Sequence, residues 1–160
     1  MESKEKQSAP TYIPDGYTRS GFIRAIPGLH GQIRFSYRPM LHGKRDSVRN
    51  GYQRERGEKG SLLVAGAIAD HLVEWVCLYP EDGPDELLRG KAVKVTVDSV
   101  RHLAPPLLDR MFSIVSGMDG SDPEPEAEPE EQKEYAELLL QSAETGIGPG
   151  ALQLAEQQKN

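Results

Sequence analysis

The chain has 160 residues, a formal net charge of −6, 37% apolar and 6% aromatic residues, 16 glycines and 12 prolines, which suits one small, loop-rich domain with a modest core. Its single cysteine, Cys77, excludes a disulfide within the chain and fits a reducing compartment. The longest apolar stretch, residues 62–79, is interrupted by Asp70, His71 and Glu74 and falls short of the roughly 18 uninterrupted apolar residues that a membrane span needs.

Residues 1–11 are polar and expected to be flexible. The opening MESKEKQSAP has no apolar h-region, so no signal peptide is expected and the expected location is the cytoplasm. A small α+β domain is expected over residues 12–118. Residues 21–26 and 32–38 are rich in β-branched and aromatic side chains and are separated by Pro27-Gly28-Leu29-His30-Gly31, which predicts a hairpin. In the second strand Ile33, Phe35 and Tyr37 alternate with Arg34, Ser36 and Arg38, giving one apolar and one basic face. A lone hairpin is marginal in water, so helices must cover the apolar face.

Pro39 ends the strand, and a helix is expected over residues 40–56, weakened by Gly43, Gly51 and Gly57. Ser61 starts a second helix in which Val64, Ile68, Leu72, Trp75 and Tyr79 repeat at helical spacing up to Pro80. Residues 81–90 read as a loop, and residues 92–97 (AVKVTV) as a short strand available to join the hairpin. Asp98 is expected to cap a turn, and Pro105-Pro106 to open a last core helix with Leu107, Leu108, Met111, Phe112, Ile114 and Val115 inward and Gly117 as its stop.

Residues 119–134 (DGSDPEPEAEPEEQKE) hold eight acidic residues against one lysine and have Ala127 and three prolines as their only apolar side chains. Such a run cannot bury enough surface to offset the entropy of ordering, so a disordered acidic linker is expected. Residues 135–160 follow as a short amphipathic tail. There Tyr135, Leu138, Leu139 and Ala143 recur at roughly helical spacing and are the expected partner-binding positions, with Gly148-Pro149-Gly150 breaking the chain beyond them. The fold class is thus α+β: a short antiparallel sheet on two or three helices, then the linker and a C-terminal helix.

Charge is distributed unevenly. Residues 19–59 carry ten Lys or Arg against three acids, whereas residues 119–134 are strongly negative. Two readings stand: each run keeps its surface solvated, or the acidic run folds over the basic face and masks it until a partner competes. The basic face, Arg24, Arg34 and Arg38, also admits a nucleic-acid reading. Against it, Phe35 and Tyr37 share their face with Ile33 and belong in the core.

No catalytic pattern emerges. His71-Leu72-Val73-Glu74 is not the HExxH arrangement that sets two imidazoles and a base on one helix face for zinc. Cys77 and His71 point to different sides of a helix, and His30, His42 and His102 are isolated in sequence. Asp70 and Glu74 lack surroundings that would push their pKa values apart. Gly28, Gly31 and Gly43 do not form a phosphate-cradling loop. No cofactor, metal site or enzymatic activity is expected.

The order of several segments resembles small proteins of tailed-phage and prophage tail-morphogenesis modules, specifically tail assembly chaperones. They are Ile33-Arg34-Phe35-Ser36-Tyr37-Arg38-Pro39, His71-Leu72-Val73-Glu74-Trp75, Val95-Thr96-Val97-Asp98-Ser99-Val100, residues 103–110 (LAPPLLDR) and Ser121-Asp122-Pro123. The resemblance covers roughly residues 22–123. It implies a folded front part with a flexible tail, a bacterial host cytoplasm, and a role in keeping tape-measure and tail-tube subunits in solution before assembly, with self-association as a further possibility. The convincing hairpin departs from the helical pattern expected of many such proteins, so a minor virion structural protein or another phage accessory factor stays open.

Overall fold

The computed structural model describes residues 9–125 and 129–147, with side chains described for residues 130–143 of the last helix. Three strands, β1 (Arg19–Ile23), β2 (Ile33–Tyr37) and β3 (Leu72–Val76), form one antiparallel sheet in the order β1-β2-β3. The β1–β2 hairpin closes through Pro27 and Gly28. Leu29 N–H donates to the Ile26 carbonyl at 2.9 Å, and Gly28 has φ +79°, which is the type II arrangement with proline ahead of glycine.

Helices α1 (His42–Glu55) and α2 (Gly57–His71) form an antiparallel pair joined by a sharp reversal at Arg56 and Gly57, both with positive φ. Their glycines are contact points. A Cβ on Gly60 would lie 2.9 Å from the Tyr52 ring, and one on Gly51 would run into Leu63. After β3 come α3 (Val97–Arg101), α4 (Pro105–Val115) and α5 (Pro129–Ile147). α4 has proline in its first turn and closes with Gly117 N–H on the Ile114 carbonyl and Met118 N–H on the Ser113 carbonyl, a Schellman stop with Gly117 at φ +81°.

The α+β class is as the sequence implies. The core joins Ile23, Ile33, Phe35, Tyr37 and Trp75 of the sheet to Ala65 and Ile68 of α2, Val100 of α3, and Leu107, Met111, Ile114 and Val115 of α4. Alternation along the strands puts Phe22, Arg34, Ser36 and Glu74 on the opposite, rear face.

Four expectations are corrected. The helix expected to run from Ser61 to Tyr79 stops at His71, and Leu72-Val73-Glu74-Trp75-Val76 is the third strand. The helix end is closed from outside: Arg38 N–H donates to the His71 carbonyl, and the Arg38 side chain to the Asp70 carbonyl at 2.6 Å. Residues 92–97 are accordingly not the third strand. They are held outside the sheet by one bridge between Ala92 and Leu78 and by the Trp75 indole, which donates to the Val93 carbonyl at 2.7 Å. Thr96, not Asp98, caps α3, in a reciprocal box with Ser99. The tether expected over residues 119–134 is corrected at both ends: residues 119–124 are hydrogen-bonded to the domain, and α5 begins at Pro129. Residues 1–8, 126–128 and 148–160, with the Gly148-Pro149-Gly150 break, lie outside the described residues.

Candidate interaction surface

A three-stranded sheet leaves two edges whose backbone groups need partners. The part of the chain after α4 supplies partners on both. At β1, Phe22 N–H donates to Ser121 Oγ at 2.7 Å, Asp122 N–H donates to the Phe22 carbonyl at 2.8 Å, and Arg24 N–H donates to Asp122 Oδ2 at 2.9 Å. At β3, Trp75 N–H donates to Ser142 Oγ at 3.0 Å, and Ser142 is fully buried. Two serines on one C-terminal segment thus close the two edges.

The rear face between these edges is built around Arg34. Its guanidinium lies 5.1 Å from the centroid of the Phe22 ring and 4.1 Å from that of Tyr135 on α5. Its Nη1 donates to Glu124 Oε1 at 2.7 Å, and the side chain is only 12% exposed. A cation held between two ring faces is attracted by both quadrupoles, more strongly as water is excluded. Phe22 is 2% exposed yet stands apart from the main core cluster, so this layer is a small second core of mixed aromatic and ionic character.

Arg110 of α4 ties the chain reversal into the same layer. Its Nη2 donates to the Gly120 carbonyl and to Asp122 Oδ1, both at 2.9 Å, and its Nε lies 2.9 Å from Asp119 Oδ2 as an ion pair. Asp122 is therefore held by β1 and α4 at once. Burial pushes its carboxyl pKa up, but the Arg24 backbone N–H and then the Arg110 guanidinium outweigh this, leaving it below the usual carboxylate range.

The expected partner-binding residues Tyr135, Leu138, Leu139 and Ala143 are all half-buried on one side of α5, the side that carries Ser142 onto β3. Among the outward residues of this helix is Leu140, 47% exposed. Of the expected basic face, Arg34 is taken up in the rear layer, Arg38 closes the end of α2, and Arg24 contributes its backbone to the Asp122 contact. They are not brought together as one open cationic surface. The residues missed in sequence are Ser121, Asp122, Arg110 and Ser142. Ser121-Asp122-Pro123 stood out as a motif, but its place on β1, some hundred residues away, carries no local signal.

Among the described residues no group of three or more His, Cys, Asp or Glu side chains is arranged to hold a metal ion. His71 Nδ1 lies 2.8 Å from the Ala67 carbonyl of its own helix, and His102 Nδ1 lies 2.7 Å from the Asp98 carbonyl. Cys77 has its thiol pushed up by burial to about 11, the opposite of what a reactive thiolate needs. No helix among the described residues is long and apolar enough to cross a membrane. A groove of about 330 Å³ between α1, α2 and α4 is lined by Val48, Tyr52, Val64, Leu108 and Phe112. The rear face differs from it in holding a segment of the chain itself. Comparison of the chain with protein families, curated proteins and solved structures gives no match.

Proposed function

We propose that the protein is a non-enzymatic assembly factor of the tail-assembly-chaperone kind, acting in the cytoplasm of a bacterial host to hold tail subunits before they assemble. The observation that carries this reading is the way the segment after α4 covers both sheet edges and a cationic, aromatic face through polar contacts, solvent-accessible at Arg24 and Glu124 and buried at Ser142. At the β1 edge, where the contacts of Asp122 with Arg24 and of Glu124 with Arg34 reach solvent, the covering is exchangeable: exposed ion pairs each contribute no more than about 1 kcal/mol. The strand edges beneath it are a general means of binding extended segments of other proteins. The motif order that resembles tail assembly chaperones supplies the class of partner.

The test is coexpression with the tape-measure and tail-tube subunits encoded near its gene. The expected result is a soluble subunit that copurifies with the protein and precipitates without it. A salt-sensitive complex with random oligonucleotides, together with no capture of either subunit, would replace this reading by the nucleic-acid one.

A further inference from the structure

We infer that residues 121–124 occupy in cis a docking site for an extended acidic segment of a partner protein, the site being the outer edge of β1 with Arg34 and Arg110. This rests on the reading of the protein as a partner-holding factor and names the chemistry of what it holds. The bound segment defines the ligand. A hydroxyl accepts from Phe22 N–H, the next backbone N–H donates to the Phe22 carbonyl, and that residue's carboxylate accepts from Arg24 N–H and Arg110. A second carboxylate two positions later accepts from Arg34. The pattern is Ser-Asp-x-Glu, and all four of its anchors, a hydroxyl, a backbone N–H and two carboxylates, are polar.

Two further observations favour an acidic protein strand as the occupant. Arg34 sits within the part of the chain, residues 19–59, where basic residues outnumber acidic ones by ten to three, and Arg110 adds a second guanidinium from α4. In addition, Arg34 Nε is buried without a hydrogen-bond partner among the described residues, so Glu124 leaves part of this guanidinium's donor capacity unused. A partner segment with a better-placed carboxylate competes by satisfying it. The cis segment then acts as a weak mask with the same chemistry as the ligand, keeping the β1 edge from pairing with unrelated strands.

The experiment uses the full chain and a fluorescein-labelled peptide with the sequence of residues 119–126 (DGSDPEPE). Binding is followed by anisotropy for the wild type and for a variant with S121A, D122N and E124Q, which weakens the cis contacts but leaves β1 and the arginines intact. The variant is expected to bind the peptide at least about tenfold more tightly than the wild type, and a scrambled peptide of equal charge at least tenfold more weakly than the native order. Adding R34Q to the variant should remove the gain. Equal binding by wild type and variant, or equal binding of the scrambled peptide, would overturn the inference. So would self-association of the variant in place of peptide capture, which would make a second copy the occupant. As a check independent of the variants' folding, excess peptide added to the ¹⁵N-labelled wild type should shift the Phe22 and Arg24 amide resonances; unmoved resonances would overturn the inference. Tail-subunit capture without peptide binding would remove this site alone, and peptide binding without subunit capture would remove the proposed function alone.

Discussion

Gly21 and Phe35 stand opposite each other across β1 and β2, and the Phe35 ring lies over the glycine so closely that a Cβ there would come within 2.5 Å of it. The ring fills the gap that glycine leaves in the strand, the arrangement by which aromatics rescue strand glycines. Gly21→Ala is therefore expected to push Phe35 into a packed core and to cost about 1–3 kcal/mol, read as a lower urea midpoint with unchanged slope. Cys77 gives a pH-dependent counterpart. Its thiol is raised to about 11 in the folded protein, above the ordinary value of about 8.5 in the unfolded chain. Below about pH 8 the thiol is protonated in both states and contributes no pH dependence. As pH rises through the unfolded value only the unfolded chain loses the proton, so stability falls between there and about pH 11. Cys77→Ala should flatten that part of the stability profile, and alkylation of the native thiol should stay slow until the pH approaches 11.

At the scale of elements, what was legible in the sequence and what was not divide along the range of the interactions involved. The hairpin, α1 and α4 rest on local chemistry: a Pro-Gly turn, alternation of Ile33, Phe35 and Tyr37, paired prolines at a helix start and Gly117 at its stop. The α2–β3 junction does not. Val64, Ile68, Leu72 and Trp75 fit a helix period, yet Leu72, Val73, Trp75 and Val76 are equally good strand residues, and periodicity cannot choose between them. The choice is made by β2, which offers an edge for Leu72–Val76, and by Arg38 just after it, which closes the end of α2. The reversal between α1 and α2 shows local chemistry overridden as well. Arg56 adopts φ +41° and ψ 177°, a region that L side chains avoid, because the two helices must turn within one residue before Gly57. Arg56→Gly is expected to relieve this strain and to stabilise the domain by about 1 kcal/mol, detected as a rise in Tm. An unchanged or lower Tm would mean that the arginine stem makes up for its backbone cost.

At the scale of the whole molecule, the segment after α4 turns an open three-stranded sheet into one with both edges partnered. The candidate site was only partly legible for that reason: the charge asymmetry between the basic segment and the acidic run was visible, while the pairing of Ser121 with Phe22 and of Ser142 with Trp75 depends on where the finished sheet places its edges. Asp122 links this closure to pH. Its carboxyl is held below the usual range, against the effect of burial, by the Arg24 N–H and Arg110, so it stabilises the closed arrangement above the unfolded value of about 3.9. That contribution is lost as pH falls through the depressed folded value, where protonation removes an acceptor from both partners. The Arg24 amide proton should therefore titrate with a midpoint below the ordinary aspartate range, and Asp122→Asn should abolish that titration. Trp75, whose N–H is held by Ser142 at the other edge, should show no change over the same range if the two closures open independently. A concerted shift of the Trp75 and Arg24 amides would instead show that the segment lifts from both edges as one unit, so that a partner capturing the acidic strand would free β3 as well.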